Sequence, residues 1–167
     1  MHENGHFNKP WKIFDGNRRT FYVSAVIKEH EEKLFWIQIE LWRFGYVNHV
    51  EITPPEAPNF EAVENIEIRV GIHNVPAKNT TRDEQTQAIE ENHICGNYSA
   101  ITSDATFHVR CSEPIFSRYI IIQYKDVKLE QMKVAEVDIY GRFEDHGITS
   151  SKIYILYKFC LIEIDFC

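Results

Sequence analysis

The sequence predicts an all-β fold, in which one antiparallel β-sandwich serves recognition rather than catalysis. Short runs rich in β-branched and aromatic residues recur along the chain, and the clearest are residues 35–41 and 46–52. Polar loops separate these runs. The length of 167 residues suits a single domain, and a hydrophobic fraction of 44% excludes a disordered chain. A single mostly β domain follows.

The first half of the chain yields three predicted elements. Residues 1–33 are predicted to be mainly loop, with a tight turn at Asp15-Gly16-Asn17. The two runs within residues 34–52 lie so close together that they predict a β-hairpin. Pro54, Pro55 and Pro58 prevent regular strand pairing, so residues 53–59 are predicted to form an irregular loop.

The second half continues the succession of strands. Residues 66–71 predict a short strand, and residues 73–103 predict a long polar connection. Three further strands are predicted at residues 106–111, 118–124 and 134–140. In the last of these, apolar side chains alternate with acidic ones, which is typical of a half-buried strand.

Charge and motifs argue against several classes of function. The formal net charge is −7, and no cluster of Lys and Arg forms a cationic stripe, so we expect no nucleic-acid partner. There is no nucleophile elbow, zinc-binding His pair or phosphate-binding Gly loop, so we expect no enzymatic activity. A carboxylate pair for glycoside hydrolysis depends on spatial separation, which the sequence leaves open. Residues 153–167 are apolar, but Lys158 and Glu163 interrupt them and they are shorter than the ~20 residues of a membrane span.

The cysteines and two glycosylation motifs predict a secreted protein. Cys95 and Cys111 bracket a polar loop between strand-like segments, and we predict a disulfide between them. Asn79 and Asn97 each begin an Asn-x-Ser/Thr acceptor motif, which has meaning only in the secretory pathway. The N-terminal residues lack the apolar core of a signal peptide, so either the chain is cytosolic or its start is missing, and we favour a truncated start. For Cys160 the sequence leaves open pairing with Cys167, intermolecular pairing or a free thiol.

In their order, these segments resemble the F-type lectins, or fucolectins, of the discoidin or galactose-binding-like superfamily. The resemblance covers residues 7–141 and rests on the order and spacing of several motifs. These are Asp15-Gly16-Asn17, Phe35-Trp-Ile-Gln-Ile-Glu-Leu41, Glu67-Ile-Arg-Val-Gly71, Cys95-Gly96, Cys111, Arg118-Tyr-Ile120 and Glu136-Val-Asp-Ile-Tyr-Gly141. The resemblance implies a discoidin-like antiparallel sandwich, or jelly roll, spanning residues 1–141. Residues 142–167 form an apolar C-terminal tail outside it.

The resemblance also implies a Ca²⁺ ion where the Asp15 loop meets the last strand. Its predicted side-chain ligands are Asp15, Asn17, Ser24 and Glu136, and Lys12 and Ala135 would contribute backbone carbonyls. These are the hard oxygen donors that calcium prefers. The residues themselves permit a plainer interpretation, in which Asp15-Gly16-Asn17 is only a turn and Glu136 an ordinary surface side chain.

The sugar site of the fucose-binding lectins is only partly present. His30 matches the family's ligand-binding His, but Pro55, Ala57 and Ala62 occupy the positions of its Arg, Asp and Lys or Arg. Pro and Ala cannot supply the charge-assisted hydrogen bonds to sugar hydroxyls that those side chains make. The resemblance therefore predicts a calcium-stabilised, non-catalytic carbohydrate-binding module of divergent specificity, whose partner is a glycan or glycoprotein.

An alternative function keeps the fold and discards the sugar. In it, the chain is a protein-interaction or adhesion module on the lectin fold, because fold alone does not determine function. The sequence does not specify the glycan or the oligomeric state.

Overall fold

The computed structural model describes residues 9–24, 35–57, 59, 65–76, 79–99, 105–125, 131–143 and the backbone of residues 151–152. Within them a 3-10 turn spans Pro10–Phe14, and one α-helix, α1, spans Arg82–Glu90. The strands are β1 Tyr22–Val23, β2 Phe35–Thr53, β3 Ile66–Gly71, β4 His93–Tyr98, β5 Phe107–Tyr124, β6 Lys133–Val134, β7 Glu136–Phe143 and β8 Ser151–Lys152.

Two long strands, β2 and β5, set the architecture. The first half of β2 pairs with the second half of β5, from Phe35 opposite Tyr124 onward, and the second half of β2 pairs with the first half of β5, ending with Ile52 opposite Phe107. The register shifts twice, because unpaired residues lie in β2 before Gly45 and in β5 after Arg110. These irregularities bend both strands in the middle.

Each bent strand contributes to both layers of a sandwich. One layer has the order β4-β3-β5-β2, and the other has the order β5-β2-β7-β8. The layers face each other, since the rings of Tyr98 on β4 and Phe107 on β5 lie 4.8 Å apart. Between them lies one large cluster of buried aliphatic side chains, to which Ile37, Val50 and Ile68 belong. The predicted antiparallel β-sandwich is confirmed.

The hairpin predicted for residues 34–52 is wrong, because β2 continues through both runs. Gly45, which lies between the two runs, serves a close approach to β7: a Cβ at this position would lie 2.8 Å from the carbonyl oxygen of Arg142. The strands predicted at 106–111 and 118–124 likewise merge into β5. Pro114 lies where the register shifts, a place in a sheet that tolerates proline.

The predicted strand over residues 66–71 is confirmed as β3, and the last predicted strand corresponds to β6 and β7. The long polar connection predicted for residues 73–103 is wrong, because it contains α1 and β4. A capping box starts α1: Thr81 Oγ1 accepts from the Glu84 amide at 3.3 Å, and Glu84 Oε2 accepts from the Thr81 amide at 2.7 Å. The helix then buries Ile89 against the outer face of the first layer.

The irregular loop predicted for residues 53–59 is confirmed at the described residues 54–57 and 59, but Thr53 still belongs to β2. Part of the predicted C-terminal tail joins the sandwich, since Ser151 and Lys152 pair with Gly141 and Tyr140 of β7. Most of the tail, including Cys160 and Cys167, lies outside the described residues. No helix in the described part of the chain has the length and apolar character that crossing a bilayer requires.

Candidate functional site

The loop predicted to bind calcium lies where the 3-10 turn meets the start of β7. Gly16 has a φ of 72°, which the tight turn requires and glycine adopts without strain. The Asn17 amide donates to Asp15 Oδ1 at 2.9 Å and to Glu136 Oε1 at 2.6 Å. The fold therefore brings Asp15, Asn17 and Glu136 together although Glu136 is 119 positions away in sequence.

The carboxyl group of Glu136 lies in an environment that disfavours its charged form. Burial raises the pKa of Glu136 to about 7, and the nearby Asp15 carboxylate adds to the rise, whereas the amides of Asn17 and Gly16 oppose it. The other carboxylate oxygen of Asp15, Oδ2, accepts a hydrogen bond from Thr20 Oγ1 at 2.5 Å. A divalent cation would relieve the repulsion between the carboxylates.

The donor set fits calcium in its chemistry, with two carboxylates and an amide oxygen. Within the described residues there is no group of three or more His, Cys, Asp or Glu side chains that could hold a metal ion. Carbonyl oxygens would therefore have to complete the coordination, as the predicted roles of Lys12 and Ala135 require. The Ala135 amide donates to the Thr53 carbonyl at 2.9 Å, which fixes the chain just before Glu136.

Ser24, the fourth predicted side-chain ligand, has partners on the segment that precedes β6. Its Oγ accepts from the Met132 amide at 2.8 Å, and its carbonyl accepts from Gln131 Nε2 at 3.1 Å. These bonds extend the short pairing of β1 with β6. Sequence reasoning did not foresee that this hydroxyl serves as an acceptor for a backbone amide.

The two described positions that correspond to the fucose site, Pro55 and Ala57, lie at the same end of the sandwich as the Asp15 loop, since Glu56 between them is 4.0 Å from Arg19. Pro55 is buried, so its ring packs inside the protein, and Ala57 is exposed but carries no polar atom. His30 and Ala62 lie outside the described residues. Neither described position supplies a hydrogen bond to a sugar.

The predicted disulfide is present, and it joins the two layers. Cys95 on β4 and Cys111 on β5 have Cα atoms 4.2 Å apart, and both side chains are buried. Asn79 and Asn97, the predicted glycosylation sites, are both exposed. Their side chains are therefore accessible to a modifying enzyme.

A concave groove lies at the opposite end of the sandwich, where β2 and β5 pass from one layer to the other. We call it the crossover groove, and its volume is about 580 Å³. One wall comes from the segments that flank α1 and consists of Ile72, His73, Glu91, His93 and Ile94. The other wall and the floor come from β5 and β2 and include Ser112, Glu113, Pro114, Phe116 and Tyr46.

Apolar and polar groups alternate around the crossover groove. Ile72 is 50% exposed, Ile94 is 48% exposed and Phe116 is 38% exposed, so three large apolar side chains that line the groove are open to solvent. Polar side chains lie between these apolar ones, and two of them are close to each other, with His73 Nδ1 3.4 Å from Glu91 Oε2. Sequence analysis missed this groove, because only the fold brings residues 72–73, 93–94 and 112–116 together. The one local signal was Pro114 inside an otherwise β-type run.

Aromatic rings extend the groove along β2. The Phe44 and Phe116 rings are nearly parallel, with centroids 5.4 Å apart, and Tyr46 lies 5.4 Å from Phe116 at a tilt. Arg118 holds this region in place: its guanidinium donates to Glu40 Oε1 at 2.7 and 3.2 Å and lies 5.7 Å from the Phe44 ring centroid. The rings are therefore fixed by packing and by an ion pair.

Neither a protein-family model nor a curated protein matches the sequence. Solved structures do match the fold. A family 32 carbohydrate-binding module of Clostridium perfringens NanJ, in complex with galactose, aligns with a TM-score of 0.59 at 15% identity, over 81% of this chain and 86% of that chain. A second module from C. perfringens, CpGH89CBM32-5, in complex with GalNAc-β-1,3-galactose, aligns with a TM-score of 0.59 at 13% identity, over 83% of this chain and 88% of that chain.

A third similar structure is the fucolectin from the serum of striped bass, Morone saxatilis. It aligns with a TM-score of 0.62 at 16% identity, over 83% of this chain but only 43% of the bass chain. The present chain therefore spans less than half the length of that lectin. Together these similarities show that the fold is the discoidin-like sandwich of family 32 modules and F-type lectins, as the sequence predicts.

Proposed function

We propose that this chain is a non-catalytic carbohydrate-binding module, stabilised by calcium, whose specificity differs from that of the fucose-binding lectins. The observation that carries the proposal is the fold, which the chain shares over about four fifths of its length with modules in complex with galactose and with GalNAc-β-1,3-galactose. The partner is a glycan or glycoprotein, and binding involves no bond breaking.

Calcium has a structural role in this proposal. The side chains that would hold it are Asp15, Asn17, Ser24 and Glu136. The carboxylates of Asp15 and Glu136 both accept from the Asn17 backbone amide, and Asn17 Oδ1 accepts from the Arg19 amide at 3.1 Å. When bound, the ion neutralises two adjacent carboxylates and ties the N-terminal loop to β7. Because the pKa of Glu136 is raised to about 7, calcium binding would release a proton below that pH.

Secretion belongs to the same proposal. The Cys95–Cys111 disulfide suits an oxidising compartment, and Asn79 and Asn97 are exposed where glycosylation needs them. Divergence from fucose rests on Pro55 and Ala57, which leave that end of the sandwich without the family's charged partners.

A protein-interaction module is the second candidate, and the crossover groove favours it. Exposed aliphatic and aromatic side chains such as Ile72, Ile94 and Phe116 occur at protein interfaces as well as in ligand sites. This alternative predicts a partner protein and no affinity for free glycans.

A glycan array screened with the full oxidised chain, once with calcium and once with a chelator, separates the two candidates. Binding to any glycan class supports the carbohydrate module, and a blank array from folded protein contradicts it.

The calcium part has its own test in thermal unfolding. Calcium should raise the melting temperature of the parent chain but not that of Asp15→Asn, whereas the matched change Asp83→Asn, on the exposed first turn of α1, should keep the response. An unchanged melting temperature in the parent would refute the ion site.

A further inference from the structure

We propose that the crossover groove is the glycan-binding site, and that it takes a short oligosaccharide without acidic groups. This inference rests on the proposed function and assigns it a location, at the end of the sandwich opposite the Asp15 loop. Four observations carry it: the shape of the groove, its chemistry, its rigidity and its charge.

The shape suits a small ligand. A volume of about 580 Å³ lies within the ~300–1,000 Å³ typical of ligand pockets. The groove is concave and open along one side, so a chain of two or three sugar rings could lie in it with both ends in solvent. At the other end of the sandwich, the described positions that would contact sugar are a buried proline and an alanine, Pro55 and Ala57.

The chemistry is that of sugar recognition. Sugar rings have one face of C–H groups, which the negative face of an aromatic ring attracts, and Phe116 offers such a ring, held against Phe44 and Tyr46. Sugar hydroxyls need donors and acceptors, and the groove offers both on Ser112, Glu113 and His93. All three of these side chains are exposed.

Rigidity reduces the entropic cost of binding. The disulfide links Cys95, next to Ile94 on one wall, to Cys111, next to Ser112 on the other. Asn92 is buried behind the first wall, where its Oδ1 accepts from the His73 amide at 3.1 Å and its Nδ2 donates to the carbonyl oxygens of His73 and Ala88, each at 3.0 Å. Both walls are therefore fixed before a ligand arrives.

The charge of the groove selects among sugars. Its lining includes the carboxylates of Glu91 and Glu113, and none of the described lining residues is Lys or Arg. The Arg142 guanidinium lies over the ring of Tyr46, 5.0 Å from the ring centroid. A sialylated or uronic ligand would bring a third negative charge beside the two carboxylates, which disfavours binding. Neutral saccharides, and those with an amino group, avoid this repulsion.

The test applies the same glycan array to three variants of the full chain. Phe116→Ala removes a ring that is 38% exposed in the groove, and Tyr98→Ala removes a ring that is 36% exposed on β4 at the other end. We expect Phe116→Ala to lose at least tenfold in affinity and Tyr98→Ala to stay within about twofold of the parent. Glu113→Gln, an exposed change that leaves the packing intact, should lose severalfold, and the bound glycans should lack acidic groups.

Each other outcome has a defined meaning. Full binding by Phe116→Ala and Glu113→Gln, or loss confined to Tyr98→Ala, overturns this location but leaves the carbohydrate module standing. A blank array from the folded parent overturns both proposals. Sedimentation of the parent and of Phe116→Ala tests whether a second copy of the chain occupies the groove. A parent dimer that this change converts to a monomer would assign the groove to that second copy and overturn its use for glycans.

Discussion

Removing the disulfide should destabilise the fold by a predictable amount. The double variant Cys95→Ala/Cys111→Ala deletes a crosslink whose ends are 16 positions apart in sequence. Loop closure of about that length restricts the unfolded chain by roughly 3 kcal/mol. At roughly 2–4 °C for each kcal/mol in a domain of this size, the melting temperature should fall by about 6–12 °C.

Urea denaturation measures the free energy of unfolding and its dependence on the urea concentration. The free energy of unfolding should fall by the stated amount, and the slope of that energy with urea should rise, because an uncrosslinked chain exposes more surface when it unfolds. The oxidised parent is the reference, and the parent treated with reductant should coincide with the double variant. Since the bond also joins the two walls of the crossover groove, glycan affinity should fall with reduction.

The reasoning fails if the double variant loses less than about 1 kcal/mol and keeps the parental slope. That result would mean that the crosslink hardly restricts the unfolded chain, because residual structure in that state already holds the two segments near each other. The native packing of β4 against β5 is close in any case, since a Cβ on Gly96 would lie 2.8 Å from Val109 Cγ1.

Three further changes test other parts of the fold. Lys125 donates to Glu67 at 2.6 Å; burial raises the pKa of Glu67, but this bond and those of Arg69 outweigh it and hold the pKa below its usual 4.5. The stabilisation is therefore present above pH 4.5 and lost as pH falls through the lowered pKa. Glu67→Gln should cost about 2 kcal/mol at pH 7 in denaturation curves, and this cost should shrink as the pH falls below 4.5; a cost that does not change with pH would contradict this. Thr81→Ala removes the cap of α1 and should lower the free energy of unfolding by about 1 kcal/mol, with faster amide hydrogen exchange in that helix. An unchanged exchange rate would count against the capping box. Gly71→Ala would push a methyl group into the Asn92 side chain and should cost about 1–3 kcal/mol by urea denaturation, whereas a neutral result would show that Asn92 can move aside.

Much of the β-sandwich could be predicted from sequence, because period and composition report local structure. The strand at Ile66–Gly71 matched its prediction, since its residues form an unbroken β-type run. The errors arose where local signals were ambiguous. The two neighbouring runs within residues 34–52 are typical of a hairpin, but Gly45 between them permits the close approach of β7 rather than a turn. Only the tertiary structure reveals this. The capping box at Thr81 and Glu84 was a readable helix signal that the polar composition of the region obscured.

The two candidate sites also differ in how much of each could be predicted from the sequence. The Asp15-Gly16-Asn17 turn could be predicted because it is contiguous in sequence, whereas its meeting with Glu136 was implied only by the family resemblance and depends on the fold. The crossover groove could not, because Ile72, Ile94 and Phe116 come from three separate segments, and each alone resembles an ordinary strand residue. Sequence patterns report which face of an element is apolar, but not which elements meet.

The sharing of β2 and β5 between the two layers has a consequence for how the chain folds. Neither layer can form by itself, because each takes half of both strands, so the sandwich should unfold in one cooperative step. The pairing also joins distant parts of the chain, as in the contact of Glu40 with Arg118, 78 positions away. Such non-local pairing must close long loops before any sheet is stabilised, which places folding in the slow range of milliseconds to seconds.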